Sequence, residues 1–174
     1  MYKGQGFVKM NDYNTLSNRY SLEPGYIYLP ERATLVASSV GSCVVVSIYD
    51  KKNRFGGLGH FQFPVIRDRH KASTRYGNVC ILTLIQMFLS RGSKKRHLEA
   101  QIFGGAHRQK RFAKNIGMDN VRLARKALRY YGIHVASEDV GGEKGRKVVF
   151  NTATNEVAIL KVNQLPTYEW YPYR

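Results

Sequence analysis

The order of apolar runs along the chain constrains its fold more than any other feature. Strand-like runs outnumber helical ones and come in blocks, without a helix following each strand. ATLVA from Ala33 and CVVVSIY from Cys43 are rich in β-branched residues, and the small residues of SSVGS between them read as a tight turn joining two strand segments. FGGLGHFQF is another strand, stopped at Pro64 because proline cannot donate to a ladder. LEAQIFGG, IHVASEDV, RKVVFN and EVAILKV follow, the last two forming a hairpin. Two segments have helical spacing. Asn78 to Leu89 is a buried helix ending near Gly92. The second is capped by Asp119 or Asn120, runs to about Tyr131 and stops at Gly132, with Val121, Ala124, Leu128 and Tyr131 on one face. The expected fold class is therefore α+β.

With 174 residues the chain suits a single domain. Residues 1–25 are polar and irregular and read as an N-terminal arm, 26–165 as the folded domain, and 166–174 as an aromatic tail lying on the surface. Apolar residues make up 43%, which excludes a disordered or collagen-like chain. The longest apolar run, Val79 to Leu89, is too short to span a bilayer, so no membrane insertion is expected, and the N-terminus lacks a signal-like apolar stretch. Two cysteines exclude a disulfide framework and a Cys-rich zinc site. These features together point to an intracellular, cytoplasmic protein with reduced thiols. The net charge is +16, and between 91 and 129 twelve Lys and Arg face only Glu99 and Asp119. That block favours an acidic partner. Without aromatic interleaving or a recognisable motif, nucleic acid is not the expected one.

The candidate chemistry centres on a thiol. Cys80 sits in the apolar helix and reads as inert core. Cys43 follows Gly41-Ser42 at a turn-to-strand corner, where small residues leave room for a substrate and backbone N–H groups could hold an oxyanion. On its own it is also consistent with a core strand residue. A cysteine nucleophile needs an imidazole to move its proton. Of five histidines, His70 and His97 lie in charged segments, His134 on a partly buried strand and His107 after a glycine turn. His60 lies among Gly56, Gly57 and Gly59, which permit close approach of another chain. If the strands bearing Cys43 and His60 share a sheet and carry them at their ends, a thiolate–imidazolium pair is a reasonable expectation. GGEKGR at 141–146 lacks P-loop spacing and reads as a turn. No His, Asp and Glu cluster has the spacing of metal ligands.

VGSCVVVSIYD at 40–50, GGLGHFQFP at 56–64, RYGNVCILTLI at 75–85, IFGGA at 102–106, NIGMDN at 115–120 and SEDVGGEKGRKVVFNT at 137–152 occur in the order seen in CheD-type chemoreceptor glutamine deamidases, and the chain resembles that family over about Ala33 to Val162. The resemblance implies a compact β-sandwich-like core with flanking helices, similar to the catalytic domain of cytotoxic necrotizing factor toxins. It implies hydrolysis of a protein glutamine side chain, with Cys43 as nucleophile, His60 as its partner and no cofactor. It also implies chemoreceptor cytoplasmic helices and a CheC-type phosphatase as partners. The family's threonine, six residues before the cysteine, falls at Ala37. Thr34, Ser38 and Ser39 carry nearby hydroxyls, but strand alternation turns a neighbour of position 37 to the other face. An alternative reading keeps the fold and drops the catalysis, leaving a module that binds receptors or the phosphatase.

Overall fold

The computed structural model describes residues 18–108 and 114–170. Residues 1–17, most of the expected arm, lie outside them, as do Lys110 and Arg111 of the basic block and the last four residues of the tail. Nine strands and two α-helices follow in the order β1 (Arg19–Ser21), β2 (Ile27–Tyr28), β3 (Leu35–Val40), β4 (Val44–Asp50), β5 (Phe55–Phe61), α1 (Gly77–Ser90), β6 (Leu98–Gly104), α2 (Ile116–Tyr130), β7 (His134–Val140), β8 (Gly145–Asn151) and β9 (Val157–Val162). They build two sheets, ordered β1-β3-β8-β9 and β2-β5-β4-β6-β7. This is the expected α+β sandwich. β3 and β4 do not pair with each other. They belong to different sheets, and Gly41-Ser42-Cys43 carries the chain across.

Alternation along β4 explains the layering. All seven residues of VVVSIYD are buried. Val44, Val46 and Ile48 join one core with Ile81, Leu84 and Phe88 of α1 and Val121, Ala124 and Leu128 of α2. Val45 points the other way, into a second core with Val36, Val40, Val148 and Phe150 of the opposite sheet. Each fully buried Val or Ile is worth about 1.5–3 kcal/mol relative to exposure, so a strand buried on both faces anchors both layers. β6 and β7 run parallel, which requires a crossover, and α2 supplies it.

Helix α2 starts earlier than the sequence suggests. The cap is Asn115, whose side-chain oxygen accepts the Met118 N–H at 2.9 Å. A Cβ at Gly117, in the first turn, would meet the Ala106 carbonyl at 2.5 Å. The IFGGA and NIGMDN segments are therefore in backbone contact, and this brings Asn120 into the interior with Val121, Ala124 and Leu128. Arg122, Lys126 and Arg129 stay exposed, while Arg125 grips Glu138 through two nitrogens at 3.0 and 2.6 Å. His134, expected to be partly buried, is exposed. Among the described residues no helix is long and apolar enough to cross a membrane.

Candidate active site

Cys43 and His60 meet because β4 and β5 are antiparallel neighbours. Val44 faces Phe61 and Val45 faces His60, so Cys43, one residue before β4, lies diagonally next to His60. Both side chains are fully buried. Phe61 packs toward the helices, so His60 points into the gap between the sheets. There its Nδ1 lies 3.0 Å from Ser38 Oγ on β3. The Ser38 hydroxyl donates to the Leu22 carbonyl at 2.8 Å, which leaves its oxygen only a lone pair to offer the imidazole. Leu22 O, 3.4 Å from Nδ1, is likewise an acceptor. Nδ1 therefore carries the proton, and Nε2 is the basic nitrogen.

This corrects the expectation drawn from strand alternation. Val36, Ser38 and Val40 face inward, whereas Ala37 is exposed and lines an outer groove with Tyr20, Leu35 and Val149. Only an even-numbered position of β3 can reach His60, and Ser38 occupies it. Thr34 is engaged elsewhere, bonding the Arg32 carbonyl and Thr152.

Two further residues belong to the site. Asn120 donates through Nδ2 to the carbonyls of Ser42 and Gln62, both at 2.9 Å. In a trans peptide the C=O and the next N–H point in opposite directions. Holding the Ser42 carbonyl toward α2 therefore turns the Cys43 N–H away from the helix, beside its own sulfur. The sequence signal was present: Asn120 and Ala124 are four apart, which puts a polar group on the helix's apolar face. The second residue is Glu169, in a 3-10 turn at Thr167–Glu169. It is only 2% exposed, and its Oε2 lies 3.7 Å from His60 Nε2, too far for a hydrogen bond. Trp170 is buried too, so this part of the aromatic tail is interior rather than surface.

Burial sets the charge state. It pushes the Cys43 thiol well above its ordinary value, and the Glu169 carboxylate adds to the effect. It lowers His60 to about 4. It raises Glu169 to about 8, with Glu23 contributing. Near neutral pH the closed site thus holds a thiol, a neutral imidazole and a largely protonated carboxyl. Neither His60 Nε2 nor Glu169 Oε2 has a hydrogen-bond partner. Each such buried atom costs roughly 1–3 kcal/mol, and here two of them lie only 3.7 Å apart.

Donor atoms of Cys43, His60 and Glu169 all lie within 4.8 Å of one another. This three-donor set could accept a divalent cation if it contracted toward the roughly 3.5 Å spacing of tetrahedral zinc ligands. Sequence spacing could not reveal it, because the three residues come from three separate segments. Cys80 is on the other side of the sheet. Its sulfur packs against Gly59, and burial raises its pKa to about 12.

A buried Cys–His pair at the ends of adjacent strands, with the imidazole held from a second sheet, is an arrangement in which a thiol and an imidazole can exchange a proton. The relatives found by comparison carry the name of an amide hydrolase. Residues 64–161 match the profile of a family described as "CheD chemotactic sensory transduction". A protein of Trichlorobacter lovleyi named "Probable chemoreceptor glutamine deamidase CheD" is 34% identical over 143 residues, covering 81% of this chain and 89% of its own. A Geobacter sulfurreducens protein with the same name, numbered CheD 2, is 35% identical over 82% of this chain and 89% of its own. One from Anaeromyxobacter dehalogenans is 36% identical over 75% and 77%. The chain belongs to the CheD family. An alignment over 81% of the chain has to include positions 43 and 60, wherever it begins.

Proposed function

We propose that the protein deamidates glutamine side chains on the cytoplasmic helices of chemoreceptors, with Cys43 as nucleophile and His60 as general base and acid. The observation that carries this reading is the hydrogen bonding of His60. Ser38 and Leu22 offer only acceptors to Nδ1, which leaves Nε2 as the basic nitrogen of an imidazole clustered with the Cys43 sulfur and the Glu169 carboxyl. Nε2 takes the thiol proton as sulfur attacks the carboxamide carbon. The Cys43 N–H, aimed by Asn120, stabilises the oxyanion. The C–N bond then breaks, the nitrogen leaves as ammonia with the proton from Nε2, and a thioester remains. Water, deprotonated by Nε2, attacks the thioester, and the S–C bond breaks to give glutamate and the free thiol. Ser38 is a positioning residue in this scheme, because it touches only the imidazole.

The setting is cytoplasmic, and the CheC-type phosphatase is a second partner, on the strength of the family resemblance. The basic face of α2 suits receptor helices rich in Glu and modifiable Gln. The test is to incubate the protein with receptor cytoplasmic fragments from its own source and look by mass spectrometry for amide-to-acid conversion. Wild type should convert specific glutamines and Cys43→Ala should not. Equal conversion by both proteins would overturn the assignment of the nucleophile, and no conversion by wild type would overturn the deamidase reading.

A further inference from the structure

The C-terminal strap is the least expected feature of the site. Glu169 reaches it with both main chain and side chain. Its carbonyl accepts the Ser42 N–H at 3.0 Å, while its carboxyl fills the space beside Cys43 and His60. Trp170 seats the strap. A Cβ at Gly41 would meet the Glu169 carbonyl at 2.4 Å and the Trp170 ring at 2.9 Å, so only glycine lets the strap lie this close. Arg108 holds the outer side, its guanidinium 4.1 Å from the Trp170 ring centre and bonded to the Asn163 carbonyl. Two hollows, of about 610 and 300 Å³, both have Glu23 and Tyr168 in their walls. The strap thus runs between two depressions and covers the thiol between them.

Glutamate is the product of glutamine deamidation. A helical turn presents this one to the thiol with its carboxyl where a substrate carboxamide would have to sit. We propose that Thr167–Trp170 is an intramolecular product mimic that occupies the glutamine slot and keeps Cys43 closed until a receptor helix or another partner displaces it. The strap's covering of Cys43 stands on geometry alone; the product-mimic half rests on the deamidase reading. No substrate can reach the fully buried sulfur while Glu169 is docked, so substrate and strap compete for one site. Docking through one buried indole and a few polar contacts is the kind of local interaction that opens well below the free energy of global unfolding.

Two variants of the full chain test this. Glu169→Gln keeps the shape and supplies an amide in cis. Attack by the Cys43 sulfur on the new carboxamide carbon should release ammonia, and water should then cleave the thioester to restore the acid. The conversion should be first order, independent of protein concentration, and absent when Cys43→Ala is added. Trp170→Ala should speed iodoacetamide labelling of Cys43 on the order of tenfold or more, about 1.4 kcal/mol of docking per tenfold, and leave Cys80 unchanged. Unchanged labelling of Cys43 in folded Trp170→Ala overturns the strap's role. If Trp170→Ala does not fold, the near-isosteric Glu169→Gln decides. Should that variant deamidate receptor fragments while position 169 keeps its amide, the product-mimic proposal fails and the deamidase reading stands. Faster labelling of Cys43 with no deamidation of either substrate would support the covering role and overturn the deamidase reading together with the product mimic.

Discussion

Removing the Ser38 hydroxyl tests the logic of the site with one atom. In Ser38→Ala the imidazole loses a bond at 3.0 Å and the Leu22 carbonyl loses one at 2.8 Å. A neutral hydrogen bond nets about 0.5–1.5 kcal/mol, or roughly two- to thirteenfold in rate if it is felt in the transition state. The lower half of that range is expected. Leu22 O already lies 3.4 Å from Nδ1 and can take over as acceptor, so the ring is loosened and not released. Deamidation of a receptor fragment, followed by mass spectrometry, should show kcat reduced about three- to fivefold with KM little changed, the signature of an interaction that orients the base without binding substrate. Ring-nitrogen NMR supplies a readout that a purely structural role would not move. His60 should be protonated at Nδ1 in wild type and a mixture of tautomers in Ser38→Ala. The matching control is Ala37→Thr, which should give no gain, since position 37 faces the outer groove. An unchanged kcat and tautomer in Ser38→Ala, or a rise in activity in Ala37→Thr, would refute the reasoning.

Asn120→Ala should lower kcat by on the order of tenfold or more, because the Ser42–Cys43 peptide loses the group that aims its N–H; initial rates on a receptor fragment measure it. Lys126→Glu with Arg129→Glu should slow association with receptor fragments and flatten its salt dependence, while turnover of a short Gln peptide stays the same; stopped-flow binding at two ionic strengths reads this. Strap docking should weaken as pH rises. Glu169 is raised when docked, so its contribution is fully present below the ordinary carboxylate range and is lost as pH climbs through about 8. Cys43 labelling in wild type, divided by that in Glu169→Ala to cancel thiol ionisation, should therefore climb toward pH 8 and level off above it. His60 works in the opposite sense, its contribution to the closed state being present above its ordinary value and lost as pH falls through about 4. Asp139→Asn should destabilise the fold by roughly 1–3 kcal/mol in urea unfolding, because buried Arg146 loses its carboxylate while its bonds to the Gly141 and Lys144 carbonyls remain.

What the sequence made legible follows the range of the interactions involved. The strands from β3 onward, the bodies of both helices, the turn at 141–144 and the inert Cys80 rest on local periodicity and turn chemistry, and the structure has them where those signals lie, whereas β1 and β2 carry no such signal and Arg19–Ser21 forms a strand inside the segment read as an irregular arm. The Cys43–His60 pair needed only the inference that two consecutive strands share a sheet. Ser38 was misjudged for a definite reason. Alternation says which residues of β3 share a face, but not which face meets His60, and that depends on the chain crossing sheets at Gly41–Cys43. The start of α2 was placed too late because Asp119 and Asn120 are both good caps in isolation, whereas Asn115 is the one followed by a glycine that can approach Gly105.

Glu169 was out of reach for a deeper reason. Nothing local distinguishes an acidic residue among aromatics in a surface tail from one in an interior strap, and 126 positions separate it from Cys43 in the chain. Its neighbours argue for the interior position once the fold is known. A glycine at 41 that no side chain could replace, a tryptophan seated on it and an arginine over the indole are three unrelated residue types that make joint sense only if the strap docks. The fold also keeps two unsatisfied polar atoms facing each other across 3.7 Å, at His60 and Glu169. In a purely structural contact that cost would be removed by an apolar residue at position 169. An occupant that mimics the product and has to leave is better served by a carboxyl held close to the imidazole without a full hydrogen bond, since tighter pairing would lock the thiol away from its substrate.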